Sequence, residues 1–447
     1  MQYKKQSWSI ILAFTGIFIS SAFSQSFFNT VMGDEFYGGS ARDAAMGNHR
    51  LTGTDPVTSV RSNPAVLSRL GSEYGINFSL SGKSLLEQRG MPLKDMFGDF
   101  LEDGIYVVNR DKTGYGSMAL GRGFSLYGMN LGLGIQYAPL SIFHYKYEEE
   151  VRAKTSLEDG IIGSKDPLVG FHILNSTGKT DVLSLGMGAG YPINPDMTLN
   201  AGFSVNVIGE ADYTISQSVE AVSDSDGNLS DVEPFDLIFS TGSETFTTLS
   251  ANLHFSNGVG LSAAYESTVD LNKSIPDELV DFEPSGLSPE LTDHLMNFYL
   301  NGINSSFISF PSRTSAGLTY TPRAVIPMVF TLEFEFQPFS DIPGNNYKDT
   351  RTWRAGFEYL SGGKVPFRAG YLFKESPMPL ISPETAFTVG TGRTFGKVQL
   401  DISGRYSFNT YDYPDLFVVD GDVRPDLDTV QETRIDIMAS FSFEFGE

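Results

Sequence analysis

The sequence predicts an all-β protein, a transmembrane antiparallel β-barrel of about 14 strands. Aromatic residues make up 13% of the 447 residues, and glycines number 46, a mixture that favours strands and turns. Apolar and polar residues alternate through much of the chain, as in the run from Arg434 to Phe445. Alternation alone fits a soluble sandwich equally well. The connections, however, alternate between short and long, which is typical of outer-membrane barrels.

Fourteen segments show this alternation. They lie near residues 73–82, 113–121, 129–150, 181–192, 197–219, 244–256, 258–268, 308–321, 328–337, 350–360, 365–374, 385–395, 397–411 and 428–445. Long connections are predicted at 83–112, 151–180, 220–243, 269–307, 338–349, 375–384 and 412–427. We therefore assign residues 73–447 to the barrel.

The first 24 residues have the pattern of a signal peptide. Lys4 and Lys5 precede an apolar run from Ile10 to Ile19, and residues 22–24 form a small-x-small cleavage pattern. The apolar run is too short for an anchor helix, which needs ~20 residues. We expect export of the chain and insertion of the barrel into a Gram-negative-type outer membrane.

Composition argues against several other classes of protein. The formal net charge is −23, and such a chain would repel nucleic acid. The absence of cysteine excludes disulfides and thiolate metal sites. The histidines show no metal-binding spacing, and no phosphate or dinucleotide loop is recognisable. We expect no enzymatic activity, cofactor or metal, although a lipid hydrolase with a Ser–His pair assembled in three dimensions stays open.

A motif precedes the first predicted strand. Its residues are Gly38, Arg42, Gly47, Asp55, Asn63, Pro64 and Ala65. Their order resembles the N-terminal plug of the FadL-type outer-membrane transporters (the OmpP1/FadL/TodX family), which have 14-stranded barrels. The resemblance implies that residues 25–72 form a plug, or hatch, inside the lumen. It also implies passive uptake of hydrophobic compounds, such as long-chain fatty acids or aromatic hydrocarbons. A related barrel that docks a partner or assists secretion, without transport, is the alternative.

Pro139 interrupts the third predicted strand. Proline donates no ladder hydrogen bond and is expected only at strand edges, bulges or kinks. One interpretation is a β-bulge near the rim of the barrel. The other, which the resemblance implies, is a kink that opens the wall over the plug and releases ligand sideways.

Three arginines on the polar face of their strands are predicted to point into the lumen: Arg354, Arg368 and Arg405. They either pair with acids of neighbouring strands or bind a ligand carboxylate.

Two long connections carry apolar residues at helical spacing. These residues are Phe97 and Phe100 in the first and Leu295, Phe298 and Tyr299 in the second. They either cap the barrel or form an outer groove that collects a hydrophobic ligand. We expect a monomer in contact with membrane lipid and lipopolysaccharide.

Overall fold

The computed structural model describes residues 27, 29–36, 39–97, 99–152, 168–222, 234–274, 302, 304–342, 347–362, 365–378, 381–413, 415–417 and 427–445. The expected signal peptide, Gly38, Leu295, Phe298 and Tyr299 lie outside these residues. Within them, no helix is both long enough and apolar enough to cross a membrane.

Fourteen strands of the described chain form a closed antiparallel barrel, which confirms the predicted fold class. They are β2 (Tyr74–Lys94), β3 (Phe100–Leu126), β4 (Met129–Ile142), β6 (Leu168–Asn194), β7 (Met197–Ile208), β10 (Glu244–Phe255), β11 (Val259–Glu266), β14 (Arg313–Tyr320), β15 (Met328–Gln337), β16 (Thr350–Ser361), β17 (Val365–Lys374), β18 (Glu384–Phe395), β19 (Val398–Tyr413) and β20 (Asp428–Phe445). The barrel closes where β2 pairs with β20, from Tyr74↔Phe445 to Gly90↔Thr429.

The apolar face of each strand points outward, as predicted. On β15, Phe330 and Leu332 are 42% and 45% exposed, whereas the intervening Thr331 and the following Glu333 are buried. At one end of the barrel, Tyr74 stacks on Phe445 with ring centroids 5.4 Å apart. This end carries the short turns, and we call it the short-turn end.

Further strands extend the wall at the opposite end. These are β5 (Tyr145–Arg152), β8 (Ala211–Ala221) and β9 (Phe235–Thr241), which join β6 in a sheet, and the hairpin of β12 (Val269–Asn272) and β13 (Phe307–Phe310). The predicted segments 129–150 and 197–219 are therefore each divided into two strands.

The prediction of a long connection at 83–112 with a helical segment is wrong. β2 and β3 continue through it as one hairpin, because alternation persists there with mixed polarity: Lys83, Leu85, Glu87 and Arg89 all point inward and are buried. Phe97 and Phe100 lie at the hairpin tip, 82% and 59% exposed. They form no groove with another described element.

The described residues before the barrel form four short elements: α1 (Asn29–Met32), β1 (Asp34–Glu35), α2 (Ala41–Ala45) and a 3₁₀ helix (Pro64–Leu70). We call residues 27–72 the N-terminal segment. Ser40 caps α2 through a reciprocal capping box with Asp43, which satisfies backbone donors at the start of the helix.

Candidate functional site

The barrel wall is interrupted between β3 and β4. These strands pair from Leu126↔Met129 only as far as Met118↔Tyr137. β3 continues with β2 as its partner, while β4 continues with β6, with a shift of register between Pro139 and Ser141. Pro139 therefore stands where β4 leaves β3. We call this interruption the wall break.

The wall break has a definite length. Beyond the break, the next hydrogen bond between β3 and the residues that follow β4 joins His144 Nε2 to Asp111 Oδ1 at 2.9 Å. Residues 112–117 of β3 thus lack a partner on this side, over about 20 Å of strand at 3.3 Å per residue. Gly114 and Gly116 face outward along this edge, so at these two positions β3 has no side chain on the outer face of the barrel.

The N-terminal segment covers the freed edge of β4. β1 pairs with β4 through Asp34↔Ile142 and Glu35↔Ser141, and the Phe36 amide donates to the Leu140 carbonyl oxygen at 3.1 Å. Each residue from Ala138 to Ile142 is buried, because this stretch of β4 is covered on both faces. Backbone from the N-terminal segment therefore covers the β4 side of the break, while the edge of β3 keeps no strand partner there.

Charged side chains of the barrel, together with Arg50 of the N-terminal segment, hold β1 in this place. Glu35 accepts hydrogen bonds from Arg313 at 2.6 Å and from Arg50 at 3.1 Å. Burial acts to raise the pKa of Glu35, but Arg313 and Arg50 keep it well below its ordinary value. Asp34 accepts from Lys83 and Arg434 at 2.9 and 2.8 Å.

The sequence analysis did not single out Asp34 and Glu35. They are the only charged residues between positions 25 and 41, and this isolation is the signal that could have found them.

An aromatic cluster fills the lumen beyond the wall break, towards the long connections. It contains Phe27, Phe143, Tyr145, Tyr147, Tyr213, Phe239, Tyr413 and Phe417, all buried. Phe27 of the N-terminal segment lies between Tyr145 and Tyr413, with centroid distances of 5.9 and 5.2 Å. Phe143 directly follows the stretch of β4 at the break. The cluster and the break are therefore adjacent.

A buried ion pair lies against this cluster. Glu87 and Arg89 form a buried ion pair at 2.8 Å, and the Tyr145 hydroxyl donates to Glu87 at 3.1 Å. The Arg89 guanidinium lies 4.8 Å from the centre of the Tyr147 ring. The surroundings thus combine aromatic surface with a compensated charge pair.

Glycines on the inner face of the wall make room for the N-terminal segment. A Cβ atom at Gly202 would lie 2.1 Å from the Ala65 amide nitrogen, and one at Gly370 would lie 2.0 Å from the Gly47 nitrogen. Such contacts are too close for any residue with a side chain. The sequence analysis did not interpret these inward-facing glycines, although they share the inward face of their strands.

The motif residues contact the wall directly. Asn63 is fully buried, donates to the Leu51 carbonyl oxygen at 2.7 Å and exchanges hydrogen bonds with the Asn252 side chain. Pro64 begins the 3₁₀ helix, and the Ala65 amide donates to Ser250 Oγ at 2.9 Å. Asn63 thus faces β10. The residues that face the wall break are instead Asp34, Glu35 and Phe36.

Ion pairs link the segment to the opposite wall. Arg42 donates twice to Glu358, each time at 2.9 Å, and Glu358 also accepts from Arg368 at 2.5 Å. Glu333 accepts from the backbone amides of Leu51 and Thr52 at 2.8 and 2.6 Å.

The three lumen arginines are each paired with acids. Arg354 contacts Glu335 at 3.2 Å, and Arg368 contacts Asp401 at 2.6 Å as well as Glu358. Arg405 contacts Glu384, and Asp436 at 3.6 Å. These contacts favour a role of the three arginines in an ion network over a role in binding a ligand carboxylate.

The closed 14-stranded barrel defines the class of fold. A Pseudomonas aeruginosa FadL homologue matches it with a TM-score of 0.55 at 10% sequence identity, covering 92% of this chain and 99% of that chain. The P. putida toluene transporter TodX matches with a TM-score of 0.51 at 12% identity, covering 93% and 100%. These likenesses show that this chain has the FadL-type fold, as the motif implied. No family model matches the sequence, and no curated protein matches it as a relative.

Proposed function

We propose that the protein is an outer-membrane channel for the passive uptake of hydrophobic compounds, with long-chain fatty acids or aromatic hydrocarbons as the substrate class. The wall break beside Pro139 is the observation that carries the proposal. A barrel in lipid has no reason to leave a strand edge without a partner, because unpaired backbone groups are costly there. An interruption covered by a separate segment suits a lateral exit.

The aromatic cluster supports the same route. Hydrophobic compounds would enter from the long-connection end, replace part of the aromatic packing around Phe27, and leave through the wall break into the membrane. N-terminal residues 27–36 would have to move, since they both enter the cluster and cover β4. In this proposal residues 25–72 act as the plug, and the barrel works as a monomer surrounded by membrane lipid and lipopolysaccharide.

Uptake into cells that produce the protein tests the proposal. A fluorescent long-chain fatty acid and radiolabelled toluene would each be supplied to producing cells and to matched cells without the protein. We expect faster uptake of at least one compound in the producing cells. If producing cells take up each compound no faster than cells without the protein, the alternative of a docking or secretion-accessory barrel without transport is favoured.

A further inference from the structure

A cavity lies at the short-turn end, away from the wall break. It has a volume of about 200 Å³ and opens between the N-terminal segment and the ends of β10, β11 and β14. The residues that matter for its chemistry are Arg42, Arg69, His254, Gly260, Thr319 and Thr321. We call it the short-turn pocket.

Its lining is basic in an acidic protein. The described residues around it include two arginines and a histidine but no aspartate or glutamate, although the whole chain has a net charge of −23. Arg42 is compensated by its two hydrogen bonds to Glu358. The remaining cation, Arg69, forms no hydrogen bond or ion pair with any described residue.

Arg69 is not paired directly with any acid among the described residues, although Asp55 is near enough to act on its charge. Arg69 is the sixth residue of the 3₁₀ helix Pro64–Leu70, which positions it beside the pocket. Its side chain is exposed; the surrounding protein first, and then the nearby Arg42, lower its pKa from the ordinary value, against the opposite effect of Asp55. An anion beside the guanidinium would relieve both effects.

His254 supplies a second unused polar group. Its Nε2 atom is buried and has no hydrogen-bond partner among the described residues. A Cβ atom at position 260 would lie 3.0 Å from His254 Nδ1, so Gly260 leaves space for the ring in its present position. A buried ring nitrogen without a partner is costly unless a ligand or water satisfies it.

We propose that the short-turn pocket binds a small oxyanion group, a carboxylate or a phosphate. The planar fork of Arg69 would hold two oxygens, as guanidinium groups do with carboxylate and phosphate. His254 Nε2–H would donate to the anion, and the hydroxyls of Thr319 and Thr321 are within the same lining. At ~30 Å³ per water, the pocket has room for on the order of six waters, enough for a headgroup but not for a long lipid chain.

Binding would connect the N-terminal segment to the wall, because Arg69 belongs to the segment and His254 to β10. An anion that bridges them stabilises this packing in proportion to its occupancy. The inference does not depend on the proposed transport, since the pocket and the wall break lie at different ends of the segment.

Calorimetric titration of the full-length protein in a non-ionic detergent tests the site. Inorganic phosphate, butyrate and 1-butanol would be titrated at constant ionic strength. We expect saturable binding of phosphate, butyrate or both, and none of butanol. Binding of phosphate alone would identify a phosphate-type ligand, and binding of butyrate alone a carboxylate.

Three variants locate the binding. Arg69→Gln should weaken it by about tenfold or more, since a hydrogen bond to a charged group contributes about 1.5–3 kcal/mol. His254→Gln should weaken it less, and it gives a second test if Arg69→Gln does not fold. Arg393→Gln, at another exposed arginine of the short-turn end, should leave affinity unchanged. Absence of saturable binding of either oxyanion, or unchanged affinity in both Arg69→Gln and His254→Gln, would overturn the proposal.

Discussion

Met118 of β3 and Tyr137 of β4 are the last residues through which these two strands pair, and Pro139 follows two positions later. Beyond that point, β4 takes its partner from the N-terminal segment. The same few residues therefore complete the wall and belong to the segment that has to move if ligand is to pass.

A bulky residue on the free edge of β3 should obstruct lateral exit. Gly114→Trp places an indole on the outer face beside the wall break, where a Cβ meets only the Ser81 carbonyl oxygen at 3.5 Å. We expect uptake of the fluorescent fatty acid to fall severalfold while the barrel still folds.

The matched control is Gly82→Trp. Gly82 is the pairing partner of Gly114 and also faces outward, but it lies on β2, away from the break, in open space. Equal uptake by the two variants would mean that ligand does not leave beside Gly114.

Asn63→Ala should loosen the N-terminal segment without unfolding the barrel. The change removes a buried hydrogen bond to Leu51 and leaves the Asn252 side chain without its partner, at a cost of about 1–3 kcal/mol. Hydrogen exchange measures the effect, with faster exchange expected for amides of residues 47–66. The exposed Asn130→Ala is the control. Unchanged exchange in Asn63→Ala would show that the motif does not hold the segment in place.

Packing of the segment should respond to pH through Asp43. Burial first, and then the nearby Asp55, raise the pKa of Asp43 to about 6 from its ordinary value of 3.8. Because the folded value is the higher one, this contribution to stability is fully present below pH 3.8 and is lost as the pH rises through about 6.

The expected measurement is hydrogen exchange of residues 40–58, corrected for intrinsic rates. Protection should increase between about pH 7.5 and about pH 5 in the wild type, by about 1.4 kcal/mol, roughly half of the full effect that is reached below pH 3.8. Asp43→Asn keeps an acceptor for Ser40 but removes the titration, so most of the increase should disappear. The same increase in the variant would assign the pH response to another group.

Arg354→Gln tests whether a lumen arginine binds ligand. Breaking a buried ion pair costs about 3–5 kcal/mol, and Glu335 would keep only its contacts with Arg313 at 3.2 Å and Arg50 at 4.0 Å. We expect thermal stability to fall and the uptake of fatty acid and of toluene to change by the same factor. Stability and uptake should both recover in the double variant Arg354→Gln/Glu335→Gln. Selective loss of fatty-acid uptake, with no recovery in the double variant, would instead indicate a carboxylate site.

Alternation in the sequence predicted most of the barrel, because each wall residue meets either lipid or lumen and the two environments select opposite polarity. Strands β15, β17 and β20 have the predicted bounds. The hairpin beyond Lys83 was missed because, outside the membrane, the polarity of the two faces of a strand differs less. Phe97 and Phe100 are exposed at its tip, so their helical spacing carried no structural meaning.

Pro139 was predicted as an interruption from its chemistry alone. What covers the interruption was not predictable, because the pairing of Glu35 with Ser141 joins residues more than a hundred positions apart. The close fit of Gly202 against Ala65 is equally non-local. A single glycine in a strand does not indicate which backbone will approach it.

The most direct test of the account is a reversible lock between β1 and β4. The chain has no cysteine, so the double variant Glu35→Cys/Ser141→Cys introduces the only thiols. The two residues are pairing partners in an antiparallel ladder, where Cα atoms lie ~4.5–5.5 Å apart, within disulfide range. The ion pairs of Glu35 are lost in both redox states of this variant, so they do not affect the comparison between the two states. The single variant Glu35→Cys, which cannot form the disulfide, shows any effect of the oxidant itself on uptake.

Uptake of the fluorescent fatty acid would be measured on one sample of the double variant, first oxidised and then reduced. We predict that oxidation reduces uptake by about tenfold or more and that reduction restores it, since ligand leaves only when β1 moves away from β4. Equal uptake in the oxidised and reduced states, with the disulfide verified by mass spectrometry, would contradict lateral release through the wall break.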